Sequence, residues 1–131
     1  MSHFGIQVCL APGSETDWPA AVASAMEPYR IDDETGLGEW DHWHSSGDFR
    51  VRPEHVDDPF LVPSSQWPAD PLRCDGGPKR ALELIETTFA LLAVDGRWFD
   101  IEQTPDYEAV ARAYLDALPD DTFVIELDCH S

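Results

Sequence analysis

The amino-acid sequence predicts a single α+β domain over residues 1–131: a mainly antiparallel sheet, two or three helices on one face, and a long irregular segment from about 30 to 78. Three observations carry this expectation. Both ends of the chain alternate apolar and polar residues with period two. The stretch from Thr104 to Leu118 repeats apolar residues at helical spacing. Six of the eleven prolines fall between 30 and 78, which breaks up regular structure there.

The elements follow in order. Phe4, Ile6, Val8 and Leu10 alternate with Gly5, Gln7 and Cys9, the pattern of a strand with one apolar face. Pro12-Gly13 ends it. Thr16 or Asp17 then caps a helix that tolerates Pro19 in its first turn and repeats Trp18, Val22, Ala25, Met26 and Tyr29 on one stripe. Within the irregular segment, Trp40-Asp-His-Trp-His-Ser-Ser-Gly47 reads as a short strand or hairpin. Pro78, after Gly76-Gly77, is placed to start a second helix bearing Leu82 and Ile85. Phe89 to Val94 reads as a central strand, Asp95-Gly96 as a two-residue type I′ turn, and Arg97-Trp98-Phe99 as the partner strand. Thr104 is the expected cap of the clearest helix, with Pro105 in its first turn and the stripe Tyr107, Val110, Tyr114 and Leu118 facing the sheet. The last strand sets Phe123, Ile125, Leu127 and Cys129 on one side and Glu126, Asp128 and His130 on the other.

Charge narrows the function classes. Twenty-six acids oppose eight bases, a formal net charge of −18, and Lys79 is the sole lysine. Direct binding to nucleic acid, which draws its affinity from Lys and Arg on phosphates, is disfavoured, and so are anionic membranes. Basic proteins and cations are the natural partners of such a surface. Its longest apolar run, Phe89 to Val94, is far short of the ~20 residues of a membrane-spanning helix. The opening Met1-Ser-His-Phe-Gly-Ile6 has no basic residue ahead of an apolar stretch, so no secretory signal is expected. Cys9, Cys74 and Cys129 are odd in number and far apart, which reads as free thiols in a reducing, cytoplasmic setting.

The sequence offers few chemical constellations. His42 and His44 lie two apart, so on an extended chain both imidazoles point the same way, with Asp41 and Asp48 nearby. As ligands for zinc or another divalent metal they need company from His130, Cys129 or His3 across the fold. Otherwise they are surface residues and no cofactor is expected. Glu126, Asp128 and His130 share one strand face, which is also what any solvated strand in so acidic a chain looks like. Asp75-Gly-Gly-Pro-Lys79 is too short and too proline-interrupted to cradle phosphates, and no nucleophile elbow is present. Cys74, beside Arg73, reads as structural. Trp40, Trp43 and Trp67 read as a small satellite core or, if exposed, as interface anchors.

Four strings, Trp40-Asp-His-Trp-His-Ser-Ser-Gly47, Cys74-Asp-Gly-Gly-Pro-Lys-Arg-Ala81, Phe89-Ala-Leu-Leu-Ala-Val-Asp-Gly-Arg-Trp98 and Leu127-Asp-Cys-His130, occur in an order that resembles a family of small hypothetical proteins of actinobacterial phages. Family members often carry Gly-Gly-Arg-Trp after the first tryptophan motif, where this chain has Gly47-Asp-Phe-Arg50. The resemblance implies a phage or prophage origin, hence the host cytoplasm, and no particular activity.

Charge and resemblance together lead to the expectation of a non-enzymatic accessory protein that binds a basic, nucleic-acid-binding host protein. Its concrete version is an anti-CRISPR or anti-restriction inhibitor that mimics DNA. Asp32, Asp33, Glu34, Trp40, Trp43, Asp57, Asp58, Asp120 and Asp121 are the expected contacts. The alternatives are a small metal-dependent enzyme using His42, His44 and His130, and a virion or assembly component.

Overall fold

The computed structural model describes residues 2–131. The chain forms β1 (His3–Leu10), α1 (Trp18–Met26), β2 (His42–Ser45), β3 (Phe49–Arg50), β4 (Val62–Pro63), β5 (Arg73–Pro78), β6 (Ala90–Leu92), β7 (Trp98–Asp100), α2 (Tyr107–Ala117) and β8 (Phe123–His130). One mixed sheet runs β3-β5-β8-β1-β6-β7. Every pairing is antiparallel except β1 with β6. The α+β class and the mainly antiparallel sheet expected from the sequence are what the structure has.

The alternating end segments become the two longest strands and pair with each other from His3↔His130 to Leu10↔Phe123. The second edge of β8 is divided. β5 takes Phe123 to Ile125, and β2 takes Leu127 to His130. Between them Ser46 N–H donates to the Glu126 carbonyl at 3.0 Å. Gly47 fits this crossing closely, because a Cβ there would lie 3.0 Å from the Asp75 carbonyl and 3.2 Å from Glu126 Cβ. Gly76 is tighter still, with a virtual Cβ 2.6 Å from the Val124 carbonyl. Gly76 therefore lets β5 press against β8, Gly77 makes room for Leu61, and Arg73–Pro78 is a strand where the sequence suggested a turn leading into a helix. Only a 3-10 turn follows, at Lys79–Ala81.

Each sheet face carries one helix, not two or three together. α1 sets Val22 and Met26 on the face formed by Ile6, Val8, Leu10, Phe123, Ile125, Leu127 and Cys129. α2 sets Tyr107, Ala111 and Leu115 on the opposite face, over Cys9, Leu91 and Val124. With no helix at 78–85, only α2 and the extended segments around Val51 and Leu82 are left to cover that second face. α2 also begins later than the Thr104 cap implied, its N-cap being Asp106 at a left-handed φ of 53°. Its buried stripe steps by four (Tyr107, Ala111, Leu115), which turns Val110 outward at 38% exposure.

The β6–β7 hairpin turns through Ala93 to Gly96, where Gly96 N–H donates to the Ala93 carbonyl at 2.9 Å. Gly96 alone in this turn has positive φ (91°), so the type I′ geometry, which needs two such residues, is not formed. The irregular segment is organised by Asp75. Its buried carboxylate accepts from Gly47 N–H at 2.9 Å and from Ser65 N–H at 3.1 Å, tying two distant loops to β5.

Leu115→Ala is expected to cost about 2–5 kcal/mol in chemical denaturation, since it opens a cavity under α2. Val110→Asp on the exposed side of the same helix is expected to change stability by less than about 0.5 kcal/mol. Equal effects of the two substitutions would contradict the packing of α2.

Candidate metal centre

Side chains two apart on a strand share a face, and the antiparallel register carries that face to the neighbours. At the C-terminal end of β8 this assembles a row of imidazoles. His130 is flanked by His3 of β1 and His42 of β2. The next row holds Gly5, Asp128 and His44. Asp41, just ahead of β2, donates its N–H to the His130 carbonyl at 2.8 Å, which fixes its side chain beside the rings. Residues far apart in sequence thus meet because three strands are in register.

The geometry is close. Asp41 Oδ1 lies 2.7 Å from His130 Nδ1 and 3.1 Å from His42 Nδ1. The His42 and His130 rings stack with centroids 4.7 Å apart and planes 22° from parallel. His3 meets His130 edge-on at 5.1 Å. Asp128 Oδ2 sits 3.4 Å from His3 Nδ1 and 3.7 Å from His44 Nε2, so it orients the two outer imidazoles. The hydrogen bond from His130 holds the Asp41 carboxyl below the usual range, assisted by the charges of His130 and His42. The His130 side chain is 12% exposed against 63% for His42, which gives the cluster a sheltered wall and an open outer side.

One ligand atom each from Asp41, His42 and His130 fall within 4.8 Å of one another. Zinc takes imidazole nitrogen and carboxylate oxygen at ~2.0–2.2 Å, so three such atoms gathered within this span are a candidate ligand set for one ion. Two nitrogens and one oxygen also suit other first-row transition metals, and the exposed side leaves room for water.

Of the other ligands considered from the sequence, Cys129 points to the opposite face and is buried among apolar side chains. Burial pushes its thiol up to about 12, and the Cys9 and Cys74 thiols likewise, so Arg73 does not activate Cys74. Asp48 is drawn away into an ion pair with Arg73. Asp41 was legible only as a neighbour of His42. Its role depends on the β2–β8 register.

The expected partner-binding residues separate. Trp40 is buried and donates its indole N–H to the Met26 carbonyl at 2.8 Å, so it anchors a loop and is not an exposed contact. Trp43 packs against the core beneath α1. The Asp58 carboxylate is 6% exposed and paired with Arg80 at 3.1 Å, so it too is withdrawn from the surface. Asp32, Asp33, Glu34, Asp57, Asp120 and Asp121 are exposed, on three separate loops.

One group on the shared face of β8 has surroundings that its strand position alone does not reveal. Glu126 follows the imidazole rows along β8 and edges a cleft of about 460 Å³ that also includes Asp48 and Glu86. Burial, then the charges of Asp48, Asp75 and Glu86, raise its carboxyl to about 7. Those neighbours arrive from three other segments, and nothing in the sequence linked them.

The chain matches no protein-family model, no curated protein and no solved structure.

A folded-state pKa above the unfolded value contributes stability that is fully present below the unfolded pKa of 4.5 and is lost as pH rises through about 7. Glu126→Gln is therefore expected to stabilise the protein at pH 8 by about 1–3 kcal/mol and to flatten the decline between pH 5 and 8. Denaturation midpoints across that range are the check. An unchanged slope in the variant would remove Glu126 as its source.

Proposed function

We propose that this protein binds a transition-metal ion of the zinc type through Asp41, His42 and His130. The observation that supports the reading is the convergence of these three ligand atoms at the end of the β1–β8–β2 ladder. Two imidazoles with one carboxylate and an open outer side are the donor set of a site that keeps exchangeable positions. Capture of the ion is the function that needs nothing further. The enzymatic version adds activation of a bound water, which such open positions permit.

A second reading has its own observation. Residues 31–40 form a tightly folded acidic loop: Asp32 Oδ1 accepts from Glu34 N–H at 2.7 Å and Thr35 N–H at 3.0 Å, and Ile31 N–H donates to the Trp40 carbonyl at 2.8 Å. Trp40 moors it to the core, while Asp33 and Glu34 stay exposed near Leu37, which is 73% exposed. A fixed acidic tip with one apolar contact suits a basic protein partner, and the formal charge of −18 supplies the steering. In its concrete form the partner is nucleic-acid-binding defence machinery of a phage host, a version that rests on the phage-family resemblance.

The metal reading is tested on protein prepared without an affinity tag. Calorimetric titration with zinc at pH 7.5 is expected to show one saturable site, lost in a His42→Ala/His130→Ala double variant that still folds. Binding should weaken as pH falls, because protons compete for the imidazoles. Equal zinc uptake by wild type and variant would overturn it.

For the partner reading, Asp33→Lys/Glu34→Lys is expected to slow association with a captured basic partner, and raised salt to do the same, with dissociation little changed. Association insensitive to both would leave the charge as a determinant of solubility alone.

A further inference from the structure

Basic residues are scarce in this chain, yet four of the eight, Arg52, Lys79, Arg80 and Arg112, line one cleft of about 490 Å³. It lies beside α2 near the Phe123 end of β8, away from the imidazole rows. Its size is that of a small-molecule site. Four carboxylates, Glu54, Glu83, Asp116 and Asp120, line it as well, so the site rests on which cations are left free and not on an excess of positive charge.

The cations differ in what they have left to give. Lys79 Nζ donates to the Asp116 and Leu118 carbonyls at 2.9 and 2.7 Å, which caps the C-terminal end of α2. Arg80 is engaged by Asp58. Arg52 rests on two neutral acceptors, donating to the Leu82 carbonyl at 3.0 Å and the Glu83 carbonyl at 3.3 Å. A guanidinium has five N–H donors, so Arg52 keeps several unspent and its charge is unmatched by these contacts. Arg112 meets Asp116 at 3.0 Å through Nη2, but its Nε is buried and has no acceptor among the described residues. A buried donor without an acceptor costs free energy, so the Arg112 guanidinium gains from any acceptor that reaches Nε.

We infer that this cleft is a binding site for a small ligand bearing a phosphate or carboxylate group, held by Arg52 and Arg112. The planar guanidinium fork matches the oxygens of either group, which is why the two share one recognition chemistry. The carboxylates of the lining repel extended polyanions most, which restricts the ligand to a compact anionic head. This site is independent of the metal reading.

The test is an NMR titration of the whole chain, following the arginine Nε–H signals while inorganic phosphate or acetate is added at constant ionic strength. A saturable shift of the Arg112 Nε–H with phosphate, acetate or both supports the site, and the ion that saturates identifies the ligand class. Arg112→Gln is expected to weaken that binding about tenfold or more, read on the Arg52 signal, the loss of one charge-assisted hydrogen bond. Arg112→Lys, which keeps the charge and removes Nε, serves if the first variant does not fold. Arg97→Gln, outside the cleft, is expected to leave binding unchanged. Linear shifts equal to those produced by chloride, or saturation unaltered by both Arg112 variants, would overturn the inference.

Discussion

The structure depends on β8 being paired on both edges. Its full length is taken by β1 on one side, and two short strands, β5 and β2, divide the other. That division decides both ends of the molecule. Where β5 lies alongside, the sheet is closed over by α2 and the second core. Where β2 lies alongside, the same face is left open and lined with imidazoles. The break between them falls at Glu126, where Gly47 lets the chain pass and Asp75 secures it. A buried, doubly paired strand with a polar row on one face must either solvate that row or give it partners. Here the outer row is solvated and cross-linked by Asp41 and Asp128, while the inner member, Glu126, is held in a cleft among other acids.

The parts of the fold legible in the sequence were those governed by local periodicity. The alternation in β1 and β8 placed the apolar rows Phe4–Leu10 and Phe123–Cys129 on one face and Glu126, Asp128 and His130 on the other, and the stripe of α1 was read down to Met26. The errors arose where tertiary contacts overrode local signals. Pro78 after two glycines looks like a helix start, but the missing Cβ of Gly76 serves a close strand approach to Val124 and Ile125, and that of Gly77 the packing of Leu61. Asp106, not Thr104, caps α2, and a stripe stepping by four replaced one that included Val110. Two helices on opposite faces cannot be told from two on one face by their patterns alone, since each pattern records only that a face is buried.

The candidate site was half legible. The pairs His42/His44 and Asp128/His130 were recognisable as same-face residues, and His3 as a possible companion. What joined them was the register of β2 and β1 on β8, which no local pattern specifies. The acid clusters and tryptophans gave the reverse case, prominent in sequence but scattered or withdrawn in space. Trp40 and Asp58 serve the protein's own loops. The acidic loop at 31–40 differs in that its backbone is tied down while Asp33 and Glu34 at its tip stay exposed.

The central claim is that strand register builds a transition-metal site from Asp41, His42 and His130. X-ray absorption at the zinc edge, on untagged protein loaded with one equivalent of zinc, tests it most directly. The account predicts a first shell of nitrogen and oxygen at ~2.0–2.2 Å with the multiple-scattering signature of two imidazoles. A shell containing sulfur at ~2.3 Å, or one of oxygen alone without imidazole scattering, would contradict it.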